Sequence, residues 1–563
     1  MKPETHKRQR WLASAAITVA ASALMIASSV LPAASSASAP ARAAASPVLT
    51  MESSPETTLT QNFNPFTTSS ASYLVGATSL IYEPLLQFDV AKPSVAPYHF
   101  LATAYKWGNG GKSITFTVRQ GVKWSNGSAM TPADVAFTYN MLMKYADVNT
   151  DALPITSAVV SGNNVTIGFS SSQYTNLQNI ASVYIVPEAI WSGISGDPAT
   201  FADPTPVGTG PYELDTFSAS AGITLKANPN YWGGAPAVSE VDFPLYASNT
   251  TILTALENNS LDWAGNFLSG LQAAFVSPSP STHKTWFAPV QTNSLEPNLT
   301  KWPTNQLAVR QAISLAIDRS AISTTGESGL EPVATNASGL VLPNFSNLLA
   351  SAVKGDKLSP HSNAKAADAV LTKAGYTLKG GYYQLKGRKV VIDVTDPSAY
   401  TDYAEDDTLI AQELRAAHIN ATFVGQSATA WAADVADGDF EVTSHWSQTS
   451  ISAFQLYNEW LNSALATSNA SGNFERLHDK AIDADLASLA GQTSVSGQLK
   501  YLTPIEKYVA TQLPVIPTVY GAAFDEYNTS QFTGWPSATD PYESGSPNTP
   551  TNEVVVLHLK PVS

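Results

Sequence analysis

The stretch TSHWSQTSISAFQLYNEW, residues 443–460, holds two tryptophans, a tyrosine, a phenylalanine and six Ser or Thr hydroxyls in eighteen positions, with one acid, Glu459, near its end. Flat rings cover the apolar C–H faces of a pyranose, and Ser, Thr, Asn and Gln pair with its hydroxyls, so these residue types suit a neutral polyol. Trp446, followed by polar residues only, is the natural stacking ring of the stretch, with Ser447 and Gln448 as hydroxyl partners. Trp460 falls with Phe454, Tyr457 and Leu461 in an apparent helix, where core packing competes with a binding role.

Signatures of catalysis do not accompany these residues. The sequence has no G-x-S-x-G elbow, and its eight histidines are scattered singly without an H-E-x-x-H or paired spacing, which leaves zinc without a recognisable site. GNGGKS at 108–113 ends like a phosphate-cradling loop, but Lys106 stands where that motif needs a glycine and a strand follows, so it reads as a hairpin turn. Two acids that lie about 5 to 9 Å apart in space can be distant in sequence, so a glycoside-acting enzyme stays an open alternative. The acids Glu405-Asp406-Asp407 read as a helix start, where negative charge meets the positive end of the dipole.

A chain of 563 residues exceeds a single core. Charged residues are 13% of it and its formal net charge is −15, so no basic stripe exists to neutralise phosphates, which argues against nucleic acid. Residues 1–45 read as an export signal: Lys2, Lys7, Arg8 and Arg10, an apolar run from Trp11 to Leu31, then Ala37-Ser38-Ala39 or Ala43-Ala44-Ala45 for a peptidase. An uncleaved anchor is the competing reading of that run. With no cysteine, the protein has no disulfide, no thiolate metal site and no lipid-accepting Cys. Low charge density in an exported chain also suits an acidic exterior, since fewer carboxylates need protonating as pH drops.

The elements that must position the site follow from periodicity. Ile114, Phe116 and Val118 alternate as a strand, and Thr131 caps a helix that has Pro132 at its first position and Val135, Tyr139 and Leu142 on one face. Val309, Ala312, Ile313, Ala316 and Ile317 form a helical stripe with Thr304 as its expected cap. Helices over 366–374, 408–417, 474–489 and 499–510 alternate with strands over 390–394 and 419–423, in the α/β manner. The tail VVVLHLKP looks like a final strand.

Seven fragments, in order, resemble the extracellular solute-binding proteins of family 5, the dipeptide, oligopeptide and nickel receptors of ABC importers: LIYEPLLQFD (80–89), ITFTVRQGVKWSNGSAMTPADVAFTYN (114–140), VGTGPYEL with LKANPNYWGGAP (207–236), LDWAGNF (261–267), AVRQAISLAIDRSAI (308–322), AVLTKAGY (369–376) and LPVIPTVY (513–520). The resemblance implies an α/β fold, a two-lobed periplasmic-binding-protein-like clamp (type II, cluster C) with an extra domain inserted in the first lobe. Transferred here, lobe I is 46–88, 208–296 and 515–563, the inserted domain 89–207, and lobe II 297–514. Crossings near Leu299–Trp302 and Leu513–Tyr520 make the hinge, and closure buries the ligand between the lobes. NPNYWGG and WSNG are turns and packing in this scheme.

In the family's peptide receptors, an aspartate after a tryptophan in this part of lobe II takes the peptide's ammonium. The matching positions here are His445 to Ser450, and no acid lies between Glu441 and Glu459; an ammonium buried without a counter-charge costs several kcal/mol. DWAGNF (262–267), GWPSATDPY (534–542) and the closing LHLKP are similar to fragments of the family's oligosaccharide-binding branch. Position and type therefore make Trp446, Trp263 and Trp535 the candidate stacking rings, with Trp460 and Tyr520 behind them, and Asn266, Ser447, Gln448 and Asn64 the candidate hydroxyl partners. The implied function is capture of a neutral oligosaccharide outside the membrane by a monomer and delivery to an ABC permease, without catalysis, cofactor or metal. An oligopeptide receptor is the first alternative.

Overall fold

Strand Ser113–Val118 turns Ile114, Phe116 and Val118 inward, as its alternation requires. It lies between Ala102–Gly108 and Asn164–Phe169, with Ile155–Ser161 completing an antiparallel four-stranded sheet. GNGGKS is the turn between the first two strands, and Gly110 there has φ 62°. Helix Pro132–Lys144 covers the sheet; Thr131 and Asp134 form its capping box, and Val135, Tyr139 and Leu142 are buried. A second four-stranded sheet, ordered Leu49–Thr50, Glu240–Pro244, Gly222–Ala227 and Tyr212–Ser218, shares the same continuous core. This computed structural model describes residues 47–342, 344–466 and 472–562; the export segment expected over 1–45 lies outside them.

The glycines of VGTGP join these layers. A Cβ on Gly208 would fall 1.8 Å from the Ile81 carbonyl oxygen and one on Gly210 2.4 Å from that of Leu80, while the Gly210 amide donates to Ile81 O at 2.9 Å. Only a bare backbone fits there.

The second core is built on a five-stranded mixed sheet, ordered Asn420–Gln426, Val391–Pro397, Val442–Trp446, Asn293–Pro297 and Ile516–Val519. The chain runs from Val391–Pro397 through helix Thr401–Ala416 to the parallel strand Asn420–Gln426 on one side. It then passes through helix Ala428–Asp437 to the parallel strand Val442–Trp446 on the other. Strand order reverses between Val391–Pro397 and Val442–Trp446, and crevices open at the carboxyl ends of strands at such a switch point. Helix Leu307–Ala316 packs its stripe, Val309, Ala312, Ile313 and Ala316, into this core. A third cluster gathers helices Ala453–Leu461, Lys480–Leu489 and Val495–Gln512 around Tyr457, Trp460 and Leu502. Among the described residues no helix is long and apolar enough to cross a membrane.

Three local expectations are corrected. Thr304 does not cap Leu307–Ala316: its hydroxyl donates to Asn298 O at 2.7 Å, and Gln306 occupies the cap position. Helix Thr401–Ala416 begins a turn before Glu405-Asp406-Asp407, so Asp406 and Asp407 sit inside it and are buried, away from the positive end of the dipole. The VVVLHLKP tail is a helix, Asn552–His558, followed by the two-residue strand Lys560–Pro561. Val554, Val555 and Val556 are all buried, and tertiary burial overrides the β preference of so short a run.

Gly208→Ala should cost at least about 2 kcal/mol, because its methyl meets the backbone carbonyl of Ile81, at the end of helix Thr78–Ile81, rather than a yielding side chain. Urea unfolding checks this: the midpoint falls with the slope unchanged.

Candidate ligand-binding site

The carboxyl end of strand Val442–Trp446 opens on a cavity of about 390 Å³. Trp446, Ser447, Gln448 and Thr449 form one wall, with Asn458 and Glu459 from helix Ala453–Leu461; Tyr73, Asp151, Asn179 and Gln291 reach in from distant segments. A depression of about 410 Å³ lined by Ile190, Gly193, Ile194, Ser195, Thr200 and Phe201 comes from a single surface stretch and gathers no ionisable side chain.

Trp446 is half-buried and held by other rings. It stacks on His445 with centroids 4.4 Å apart and planes 18° apart, His445 stacks in turn on Trp431 at 6.0 Å, and Tyr403 and Tyr400 lie 5.8 and 6.2 Å from Trp446. Burial lowers the His445 pKa to about 3, so this ring is neutral at physiological pH. A ring fixed on several sides loses little freedom when a ligand stacks on it.

The polar residues after Trp446 are used first by the protein itself. Ser447 exchanges two hydrogen bonds with Thr292: its amide donates to Thr292 O at 2.9 Å, and its hydroxyl accepts the Thr292 amide at 3.0 Å. The Gln448 amide donates to Glu459 Oε2 at 2.5 Å. Farther along, the Ile451 amide donates to Gln178 Oε1, Ser452 Oγ to Thr175 O and Gln455 Nε2 to Asn179 Oδ1, at 2.9, 3.0 and 2.8 Å. Neutral groups thus join the 175–179 segment to the 451–455 segment beside the cavity.

No lysine or arginine lines the cavity. Its two carboxyls are Asp151 and Glu459, and burial raises the Glu459 pKa to about 8, only partly offset by the Gln448 amide. At neutral pH Glu459 is largely protonated, able to donate one hydrogen bond and accept others.

Of the nine residues singled out from sequence, Trp446, Ser447 and Gln448 line this cavity. The other six do not. Trp263 is fully buried, donating from Nε1 to Asp525 Oδ1 and Gly545 O and meeting Trp535 edge to face at 5.5 Å. Trp535, 7% exposed, donates to Phe532 O and stacks on Tyr527 at 5.0 Å. Trp460 and Tyr520 are buried in the third cluster, where the Tyr520 hydroxyl accepts the Thr335 amide. Asn266 is buried and donates to Glu52 Oε2, and Asn64 ties down Pro198 O and Phe201 O. Aromatic and amide side chains at turns serve the core as readily as a ligand, and sequence position does not separate the two uses. Glu459 carried a readable signal: Ser452, Gln455 and Glu459 recur at i, i+3 and i+7, a polar stripe running from the cap along the helix. Tyr73, Asp151, Asn179 and Gln291 carried none, since only the fold brings them near residue 446.

The family model of the bacterial extracellular solute-binding proteins, family 5 Middle, matches residues 96–468. The nickel-binding periplasmic protein of Escherichia coli (strain K12) is 27% identical over 382 residues, 66% of this chain and 70% of that protein. A probable peptide-binding protein of Agrobacterium fabrum, YejA, is 23% identical over 508 residues, 80% and 81% of the two. In structure the chain is similar to a mannohexaose-bound periplasmic oligopeptide-binding protein of an ABC transporter from Thermotoga maritima, with TM-score 0.81 and 23% identity over 91% of this chain and 98% of the other. It is also similar to the oligopeptide-binding protein AppA of Bacillus subtilis in complex with a nonapeptide, with TM-score 0.74 and 17% identity over 92% and 100%. The chain has the two-lobed α/β clamp fold of these structures. The chain therefore belongs to the bacterial extracellular solute-binding proteins, family 5.

Proposed function

We propose that this substrate-binding receptor of an ABC importer takes an uncharged oligosaccharide into the Trp446 cavity and delivers it to the permease. The observation that carries the reading is a cavity wall without a cation, in which a ring fixed by its neighbours is flanked by neutral hydrogen-bonding groups. Stacking on Trp446 and pairing with Gln448, Asn179, Asn458 and Gln291 fit a polyol. In this reading 46–88, 208–296 and 515–563 are lobe I, 89–207 the inserted domain and 297–514 lobe II. Tyr73, Asp151 and Asn179 then face Trp446 and Glu459 from the opposing side, and the ligand favours closure because only the closed state contacts it from both. Export of a monomer through the signal over 1–45 completes the scheme.

A second reading, an oligopeptide receptor, is favoured by Asp151 and Glu459, two carboxyls able to meet an ammonium. It is the weaker reading, because Glu459 is bonded to the Gln448 amide and is largely protonated at neutral pH. A melting-temperature screen separates the two: cello-, manno- or xylo-oligomers raise the midpoint and di- to pentapeptides do not, a ligand at 100 times its Kd stabilising by about 2.7 kcal/mol. Selective stabilisation by peptides would overturn the sugar reading. Recovery of the sugar unhydrolysed distinguishes capture from glycoside cleavage.

Two tryptophan variants should behave oppositely. Trp446→Ala forfeits a stacking surface and should weaken sugar binding at least about tenfold, measured by calorimetry. Trp263→Ala removes a fully buried ring and two hydrogen bonds, so it should cost about 3 to 5 kcal/mol in stability, and its effect on affinity should vanish under conditions that keep it folded.

A further inference from the structure

Helix Ala364–Lys373 and the small antiparallel sheet that follows it, Thr377–Lys379, Tyr382–Leu385 and Arg388–Lys389, carry charge of the opposite sign to the chain as a whole. Residues 365–389 contain six bases, Lys365, Lys373, Lys379, Lys386, Arg388 and Lys389, and one acid, Asp368, although the net charge of the chain is −15. All six bases are exposed. Asp368 is turned inward, with its Oδ1 buried. The chain's total charge hides this face, which corrects the expectation that no basic stripe is present.

The fold gathers these bases. The Tyr383 hydroxyl reaches back from the central strand to Asp368 O at 3.4 Å and Thr372 Oγ1 at 3.5 Å, and Leu371, Tyr376 and Tyr383 share the second core. Residues directly opposite in an antiparallel pair point to one side of the sheet. Lys379 lies opposite Tyr382, and Gln384 opposite both Thr377 and Lys389. The side away from buried Tyr383 therefore presents Thr377, Lys379, Tyr382, Gln384 and Lys389, with no acid among them.

Lysines on edge strands keep a sheet from pairing with another chain, and that use accounts for Lys379 and Lys389. It does not extend to Lys365 and Lys373, which stand with Ala369 at i, i+4 and i+8 on the exposed side of the helix, nor to Lys386 in a turn. None of the six takes part in an ion pair among the described residues, in contrast to Lys226, held by Glu213 and Asp215, and Lys301, held by Asp439. Arg388 lies instead over the Trp302 ring, 4.9 Å from its centroid. Neither cavity described above is lined by any of them. Exposed cations that converge on no pocket suit an extended anionic surface better than a single small anion. Leu378, next to Lys379 on the edge strand, is 51% exposed. An apolar side chain among cations finds a place in a lipid headgroup layer and none on a soluble polyanion.

We propose that the basic face built on Lys373, Lys379, Lys386 and Lys389 docks the receptor on an anionic phospholipid surface. The rest of the chain is acidic, but at physiological ionic strength charges more than about 8 Å apart are largely screened, so the local charge decides. These residues lie outside the Trp446 cavity, and the inference does not depend on which ligand that cavity takes.

Lysine acetylation of the full chain, read site by site by mass spectrometry, tests this. With vesicles of phosphatidylglycerol and phosphatidylcholine, Lys373, Lys379, Lys386 and Lys389 should react at least about threefold more slowly than without vesicles, while the exposed Lys480 and Lys500 keep their rates. The slowing should vanish at about 1 M salt, where the screening length falls to about 3 Å. It should also vanish at Lys373 and Lys386 in the variant Lys379→Glu with Lys389→Glu. Unchanged rates at the four lysines, slowing shared equally by Lys480 and Lys500, or equal slowing by vesicles of phosphatidylcholine alone would overturn the proposal. So would equal slowing by soluble polyphosphate at matched phosphate concentration, which would assign the face to a polymer instead of a bilayer. These comparisons use the wild-type chain and do not require the variant to fold.

Discussion

The cavity depends on the register between Val442–Trp446 and Asn293–Pro297. These strands pair antiparallel over five positions, from Asn293 with Trp446 to Pro297 with Val442. Side chains alternate across a sheet, so a slip of one residue would exchange the surroundings of Trp446 and His445 and send His445 and Ser444 to the wrong faces. The register is fixed from both sides: Val442 pairs with Val394 in the parallel direction, and just past the strand end Ser447 closes two hydrogen bonds on Thr292. Asn293–Pro297 also pairs with Ile516–Val519, so two remote segments of the chain meet beside the strand that ends in Trp446.

Repeating patterns were the legible part of the fold. The capped helix at Thr131, the alternating strand through Phe116 and the stripe from Val309 to Ala316 each satisfy one periodic constraint, and each forms where its period places it. Two of the three corrected expectations share a cause. The VVV of the tail and the acids at 405–407 are three-residue runs, too short to hold a phase, and tertiary burial set both. The site divides similarly: Trp446, Ser447 and Gln448 are consecutive and could be read together, whereas Tyr73, Asp151 and Gln291 owe their place to chain crossings. Trp263 and Trp535 carried a familiar fragment but meet each other in the core, because a large ring with one N–H is satisfied as well by a buried carbonyl as by a ligand.

Low charge density and carboxyl burial are two sides of one composition. With charged residues at 13% of the chain, the described core holds many more acids than bases. Glu553 lies near Glu83, and Asp525 near Glu526; burial raises all four, offset in part at Glu83 by Arg119 and the Trp232 indole N–H. An ionised carboxylate in such a setting is costly, whereas a protonated one is a neutral group with a donor and acceptors. The interior is therefore consistent with itself when its acids carry protons, and it accumulates repulsion as they lose them.

That consistency bears on what the cavity can bind. A receptor that holds an ammonium by a carboxylate loses its counter-charge once the medium is acid enough to protonate the carboxyl. Ring stacking and neutral hydrogen bonds do not titrate, and neither do the side chains of Trp446, Gln448 and Asn179. The neutral contacts that join 175–179 to 451–455 have the same property. An uncharged guest, as proposed above, would not need an ionised acid from the cleft's carboxyls, Asp151 and Glu459.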